Sequence, residues 1–386
     1  MTIQRTYEEI NTKIRSGKAV IVTAEEIIPI VEEKGIKKAT EEIDVVTTGT
    51  FGPMCSSGVI LNFGHSDPPI RMQKVWLNDV EAYAGLAAVD VYLGATQLSE
   101  SQGMEYGGAH VIEDLISGKK IKLKARSQGT DCYPRREIES YITKKSMNQA
   151  ILFNPRNSYQ NYNVAVNASE RKIYTYMGIL LPDLGNASYS TSGQLSPLLN
   201  DPEFTTIGIG TRIFLGGAQG YIVWEGTQFY PQVIKDKNGK TIYKGGTLAV
   251  MGNLKEMSTD YIRAAVFKGY GVSLIVGIGI PIPILDSEVM KCVAVKDEDI
   301  YTEIIDYSFP HLKKPSLGRV NYKQLREGKI TVQGKDVFTS PLSSYAKARE
   351  IAQKLKEEIL KGEFLLQEPI QKFPKENKFK PLLEIR

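Results

Sequence analysis

Apolar residues recur at Tyr7, Ile10 and Ile14 with polar residues between them, the spacing of a helix that buries one face. Thr6 and Glu9 stand in a capping-box relation at its start and Gly17 ends it, so a short helix is predicted. Residues 19–23 form a compact apolar run. Thr23 and Glu26 repeat the capping pattern ahead of a helix carrying Ile27, Ile30 and Val31 that stops at Gly35, with a kink expected at Pro29. Residues 44–50, DVVTTGT, are β-branched and apolar and predict a strand. Strand, helix, strand is the signature of a parallel pair, and loops after strand C-terminal ends in such sheets collect ligands.

Alternation in IKLKAR, residues 121–126, predicts another strand. Residues 154–226 are rich in Gly, Asn, Ser, Thr and Tyr and predict many short strands joined by ordered loops. Lys237-Asn238-Gly239-Lys240 predicts a surface hairpin turn. Residues 264–285 add a Gly-rich, Pro-interrupted strand region. Tyr345, Ala348, Ile351, Ala352, Leu355 and Ile359 trace the apolar stripe of a helix closed by Gly362. The Lys- and Pro-rich tail, 371–386, is expected to drape over the surface. The pattern predicts an α/β fold: a mixed, partly parallel sheet core with flanking helices and a Gly/Asn-rich, strand-rich middle region. One large domain over 1–370 is expected, with 150 the place where two lobes would divide.

Composition narrows the class without choosing the chemistry. The chain has 386 residues, 42% hydrophobic and 24% charged, as in an ordinary globular protein. A net charge of +4, from 48 basic and 44 acidic residues, gives no ground for nucleic-acid binding. The longest apolar stretch, 272–285, is too short to span a bilayer and is broken by Pro281 and Pro283, so no membrane segment is expected. The polar N-terminus lacks a signal core or transit bias, and a cytoplasmic protein is expected. The sequence does not fix the oligomeric state, although symmetric homodimers are common among large cytoplasmic enzymes.

Candidate chemistry centres on two of the three cysteines. Cys55 sits in GPMCSSG, a polar loop whose amides can turn inward onto a thiolate. Cys132 sits in GTDCYPRR, where Arg126, Arg135 and Arg136 bring positive charge that favours the thiolate. Both follow predicted strands, whereas Cys292, in EVMKCVAVK, reads as a small buried hydrophobe. His65 in NFGHSDPP and His110 in EYGGAH are candidate proton carriers, with structural hydrogen bonding the alternative for each. Among the three histidines no two lie at ligand spacing and no CxxC occurs, so no metal site is predicted. Gly216, Gly217 and Gln219, in GGAQG, form either a loop that approaches a small anion or a tight turn. Arg126, Arg135, Arg136, Arg156 and Arg212 are candidates for holding a carboxylate.

Taken together, TTGTFGPMCSSG, NFGHSDPP, EYGGAHVIEDL, GTDCYPRRE and IGTRIFLGGAQGYIVWEGTQ resemble the homocysteine biosynthesis family of methanogens and other anaerobes. Many members of that family continue into paired CBS domains, and a chain without them is expected here. The resemblance implies L-aspartate semialdehyde as substrate, sulfide or a sulfur donor as co-substrate, and electrons from a ferredoxin-type iron-sulfur protein, with no tightly bound cofactor. The family's two cysteines map onto Cys55 and Cys132. In the resulting scheme Cys132 carries a persulfide that attacks the aldehyde, Cys55 resolves it, and the reductant reopens the disulfide. His65 or His110 moves protons at the carbonyl oxygen, and the arginines with Gly216, Gly217 and Gln219 hold the substrate. Two alternatives stand beside it. The opening VTAEE helix is similar to family I CoA transferases, with Glu225 as the catalytic carboxylate, and the cysteine pair is also compatible with a non-enzymatic sulfur carrier or redox sensor.

Overall fold

The structure, a computed structural model, describes residues 4–157, 162–235, 241–377, 380 and 382. Its opening follows the hydrophobic pattern closely. The Tyr7–Arg15 helix is closed by a complete capping box between Thr6 and Glu9 and buries Tyr7, Ile10 and Ile14. The Ile21–Thr23 strand pairs in parallel with Val45–Thr47, and the Ile27–Glu42 helix connects them. Thr23 and Glu26 exchange the expected capping bonds, at 2.7 and 3.2 Å.

Two local expectations are corrected. Proline lacks only an N–H that a first helical turn leaves unpaired anyway, so Pro29 does not break the helix. The break comes at Gly35 (φ 77°, ψ 160°), after which the helix resumes to Glu42. Residues 44–50 do not form one strand either. The chain leaves the Val45–Thr47 strand at Thr48 and Gly49 and enters a different sheet as Thr50–Pro53. A Cβ on Gly49 would lie 2.2 Å from the Ala348 carbonyl oxygen, so the crossing is packed directly against a helix backbone.

The Thr50–Pro53 strand pairs antiparallel with Gly271–Gly279, part of a nine-stranded sheet. That sheet runs from Ile262–Phe267 and Gly271–Gly279 through Arg212–Leu215, Ala218–Glu225, Leu248–Asn253 and Gln149–Asn157 to Gly58–Asn62 and Asp90–Gly94. A six-stranded sheet carries Ile121–Arg126 between Lys74–Leu77 and Glu137–Ile142. The Gly108–Ile116 helix buries Val111, Ile112 and Leu115 in the core shared with these sheets. A second six-stranded sheet is mixed. In it Val164–Val166 runs parallel to Tyr301–Asp306 and Ala187–Tyr189 parallel to Lys335–Pro341, over a core of its own. Position 150 lies inside the Gln149–Asn157 strand.

The Tyr345–Leu360 helix buries Ala348, Ile351, Ala352, Leu355 and Ile359, as its stripe predicts. The described residues of the tail are mostly exposed, and the chain is anchored at 371–373. Ile209 donates to the Gln371 carbonyl at 2.9 Å, and Phe373 is buried against Phe204 and Phe229 at ring separations of 5.4 and 5.3 Å. The turn expected at 237–240 lies outside the described residues, while its flanks, Tyr230–Lys235 and Thr241–Gly245, pair antiparallel. No helix among the described residues is long and apolar enough to cross a membrane.

Candidate active site

Cys55 sits in the tight connection between the Thr50–Pro53 and Gly58–Asn62 strands. A buried polar network holds that connection. Asn154 Nδ2 donates to Ser57 Oγ at 2.8 Å, Ser57 Oγ donates to the Met54 carbonyl at 2.7 Å, and Ala95 N donates to the Ser57 carbonyl at 2.8 Å. The neighbouring Gly271–Gly279 strand supplies Ser273, fully buried, whose hydroxyl donates to the Cys55 sulfur at 3.0 Å. Burial pushes the Cys55 thiol up from its ordinary value, while the bonds from Ser273 and from the backbone N–H of Cys55 itself pull it down.

Tyrosines complete this setting. Tyr270 lies in the turn before the Gly271–Gly279 strand, and its phenol is raised first by burial and then by the charge of a Cys55 thiolate. Its ring is 6.0 Å from that of Tyr176, on the loop between Ile173–Thr175 and Gly178–Leu180. Tyr162 donates to the Tyr176 hydroxyl at 2.6 Å, Tyr176 and Tyr307 are bonded at 3.0 Å, and Tyr307 donates to Asn163 Oδ1 at 2.9 Å. Burial raises Tyr307 strongly, so its phenol stays protonated and donating. Cys55 therefore lies half-buried beside the Gly271–Gly279 strand of the nine-stranded sheet, with a hydroxyl donor on its sulfur and the Tyr270 phenol within reach of its charge. Sequence reasoning missed Ser273, Tyr176 and Tyr270. The available signal was Gly269-Tyr270-Gly271, an aromatic residue held between two glycines at a strand turn.

His110 caps the N-terminus of the Gly108–Ile116 helix, where its Nδ1 accepts from Gly107 N at 3.2 Å and its ring stacks on Tyr106 at 4.9 Å. Burial lowers its pKa, and an accepting Nδ1 requires the neutral ring. The helix start reaches the Cys55 loop through Ala95, since Ala109 N donates to the Ala95 carbonyl at 2.9 Å and Ala95 N to Ser57.

Cys132 occupies another place. It is exposed, in the loop joining Ile121–Arg126 to Glu137–Ile142. Tyr133 stacks on His65 at 6.0 Å, and Arg135 donates to the Asp67 and Pro68 carbonyls at 2.7 and 2.9 Å. The structure thus sets His65 against Tyr133, the chain neighbour of Cys132, and ties the helix start that carries His110 to the Cys55 loop, with both cysteines free. The arginines expected to activate Cys132 have other engagements. Arg126 pairs with Glu137 at 3.3 Å, Arg135 spends its guanidinium on carbonyls, and Arg136 lies over Gly129.

The GGAQG segment resolves as a tight turn. Gly216 (φ 62°) and Gly217 (φ 95°) are the two central residues of a hairpin between Leu215 and Ala218, both in the left-handed region that such turns require. Gly216 N is spent on the Gly277 carbonyl at 2.8 Å, so the loop offers no open cradle there. Gly277 is four residues along its strand from Ser273, about 13 Å from the Cys55 sulfur's partner. Gln219 donates to the Glu363 carbonyl at 3.2 Å, and Arg212 lies between the Tyr221 and Phe364 rings. Arg156 bonds Thr227 at 3.0 Å, and Glu225 ends its strand opposite Leu248. Cys292 is half-exposed on the Ser287–Val293 helix, not buried as its apolar neighbours suggest.

Residues 19–366 match the family model described as homocysteine biosynthesis enzyme, sulfur-incorporation. The chain belongs to this family. It is 53% identical over 380 residues to a protein of Methanosarcina acetivorans named L-aspartate semialdehyde sulfurtransferase, covering 98% of this chain and 74% of that one. A protein of the same name from Methanocaldococcus jannaschii is 55% identical over 383 residues, covering 95% and 73%. An uncharacterized protein of Methanothermobacter thermautotrophicus is 29% identical over 317 residues, 79% of this chain and 68% of that one. No solved structure matches the chain significantly.

Proposed function

We propose that this chain inserts sulfur into L-aspartate semialdehyde to form homocysteine, with Cys55 and Cys132 as a redox pair and electrons from a ferredoxin-type protein. The observation that carries the substrate is identity above half, across nearly the whole chain, to two proteins named for that reaction. The cysteine chemistry is supported by a shielded thiol at Cys55 under a hydroxyl donor, and an accessible one at Cys132.

Overall, an aldehyde, hydrogen sulfide, two electrons and two protons become a thiol and water. Hydrosulfide opens the Cys55–Cys132 disulfide to one thiol and one persulfide. The outer persulfide sulfur adds to the aldehyde carbon, and the carbonyl oxygen takes a proton. The other cysteine then attacks the inner sulfur, which restores the disulfide and releases a thiohemiacetal. Loss of water leaves a carbon–sulfur double bond, and two electrons from the external reductant with two protons make the thiol. In this cycle sulfide, not the reductant, reopens the bridge. The Tyr270 phenol and His110 are the proton carriers near Cys55, and His65 is the one near Cys132. Arg136, on the same loop as Cys132, is the proposed partner of the substrate carboxylate.

Homocysteine formation from aspartate semialdehyde, sulfide and a low-potential reductant tests this reading. Cys55→Ala and Cys132→Ala are each expected to lower turnover at least a hundredfold, the scale on which lost covalent steps register. Wild-type turnover in both variants would refute the cysteine roles, and no product from the wild-type chain would refute the substrate.

A further inference from the structure

Cys55 and Cys132 are separated by a strand that cannot shorten. Cys55 lies three residues before Gly58–Asn62, at the end where Gly58 pairs with Gly94 and Phe153. At the other end the chain continues beyond Asn62. Phe63 N donates to the Val89 carbonyl, a Cβ on Gly64 would lie 3.0 Å from Asn148 Nδ2, and His65 then stacks on Tyr133, next to Cys132. Five residues of strand at about 3.3 Å each place its ends about 13 Å apart, whereas a disulfide needs Cβ atoms about 4 Å apart. The strand is hydrogen-bonded on both sides, to Gln149–Asn157 and to Asp90–Gly94, inside a nine-stranded sheet.

The Cys132 loop is also tethered where it stands. Arg135 bonds the 67–69 segment through its guanidinium and through its backbone N–H, at 3.3 Å to the Pro69 carbonyl. Ser127 N closes the loop base on the Arg136 carbonyl at 2.7 Å. The loop thus presents Cys132 to the outside of its own chain, while Cys55 stays with Ser273.

We propose that the redox pair forms between two copies of this chain, Cys132 of one against Cys55 of the other. In a two-fold dimer each contact is reciprocated, so the assembly holds two composite sites and a lone copy holds none. This rests on the reading above that both cysteines react.

Co-expression of differently tagged Cys55→Ala and Cys132→Ala chains, with tandem purification of the mixed dimer, tests it. Neither variant alone is expected to turn over, whereas the mixed dimer keeps one intact composite site and recovers about half the wild-type rate. A second measurement does not depend on those variants. Wild-type chains, one isotopically heavy and one light, are mixed and oxidised with diamide, which takes up the two electrons and two protons of each new disulfide. Once the two pools have exchanged subunits, about half of the peptides bridging Cys55 and Cys132 are expected to combine heavy with light. Mixed dimers as inactive as their parents, or bridged peptides exclusively of a single isotope, overturn the proposal. Full turnover by both single variants instead overturns the two-cysteine reading and this proposal with it.

Discussion

Burial and hydrogen bonding pull the Cys55 thiol in opposite directions, and Ser273 is the residue through which that balance can be read. With Ser273→Ala the burial stands less opposed, so the thiol ionises at higher pH and less thiolate exists near neutrality. Alkylation of Cys55 by iodoacetamide, followed against pH in a chain with Cys132 and Cys292 replaced by Ser, is expected to show the midpoint moving to higher pH. The rate near neutrality should fall roughly fivefold, the equivalent of about 1 kcal/mol for one hydrogen bond. An unchanged profile would mean the hydroxyl does not act on the sulfur. Cys132 differs in kind: of the arginines near it in sequence, Arg126 is held by Glu137 and Arg135 by the Asp67 and Pro68 carbonyls.

Among the elements, the Gly108–Ile116 helix has the most exacting fit. A Cβ on Gly108 would lie 1.9 Å from the Gly94 carbonyl oxygen, on the strand that flanks the Cys55 connection. Gly108→Ala must lift the helix start off the sheet, at an expected cost of about 1–3 kcal/mol in urea unfolding. Because Ala109 and Ala95 link that helix to the Cys55 loop, catalytic turnover should fall as well; unaltered stability would show that the helix start is not seated on Gly94. Elements with strong local signals were legible from the chain alone. The capping boxes at Thr6 and Thr23 and the stripe of the Tyr345–Leu360 helix are short-range physics, and they appear as predicted. The Thr47-to-Thr50 crossing was not legible, because it packs Gly49 against the Ala348 backbone, far away along the chain.

At the scale of the whole molecule, the C-terminal segment acts as a strap. Phe373 closes an aromatic cluster with Phe204 and Phe229, and Gln371 pairs with Ile209, so the chain at 371–373 belongs to the fold. Phe373→Ala is expected to destabilise the protein by about 3 kcal/mol, seen as a lower denaturation midpoint. A change below about 0.5 kcal/mol, the size of an ordinary surface substitution, would show that the strap is ornamental. Charge and proline content made this segment look like a surface tail, since a single anchoring phenylalanine carries little weight in composition.

What the sequence determined by itself was local: helix starts and stops, the first parallel strand pair, and the loops in which Cys55 and Cys132 sit. Its motifs also carried the family, because motif recognition needs only the order of residues. Tertiary structure decided what those loops face. It placed Ser273 on the Cys55 sulfur, gathered tyrosines from separate strand connections near it, turned Gly216 and Gly217 into a hairpin, and set the two cysteines towards opposite ends of one strand. Each of these depends on contacts between residues far apart along the chain, whose partners are set by sheet register and by the packing of whole elements, and periodicity carries no information about either.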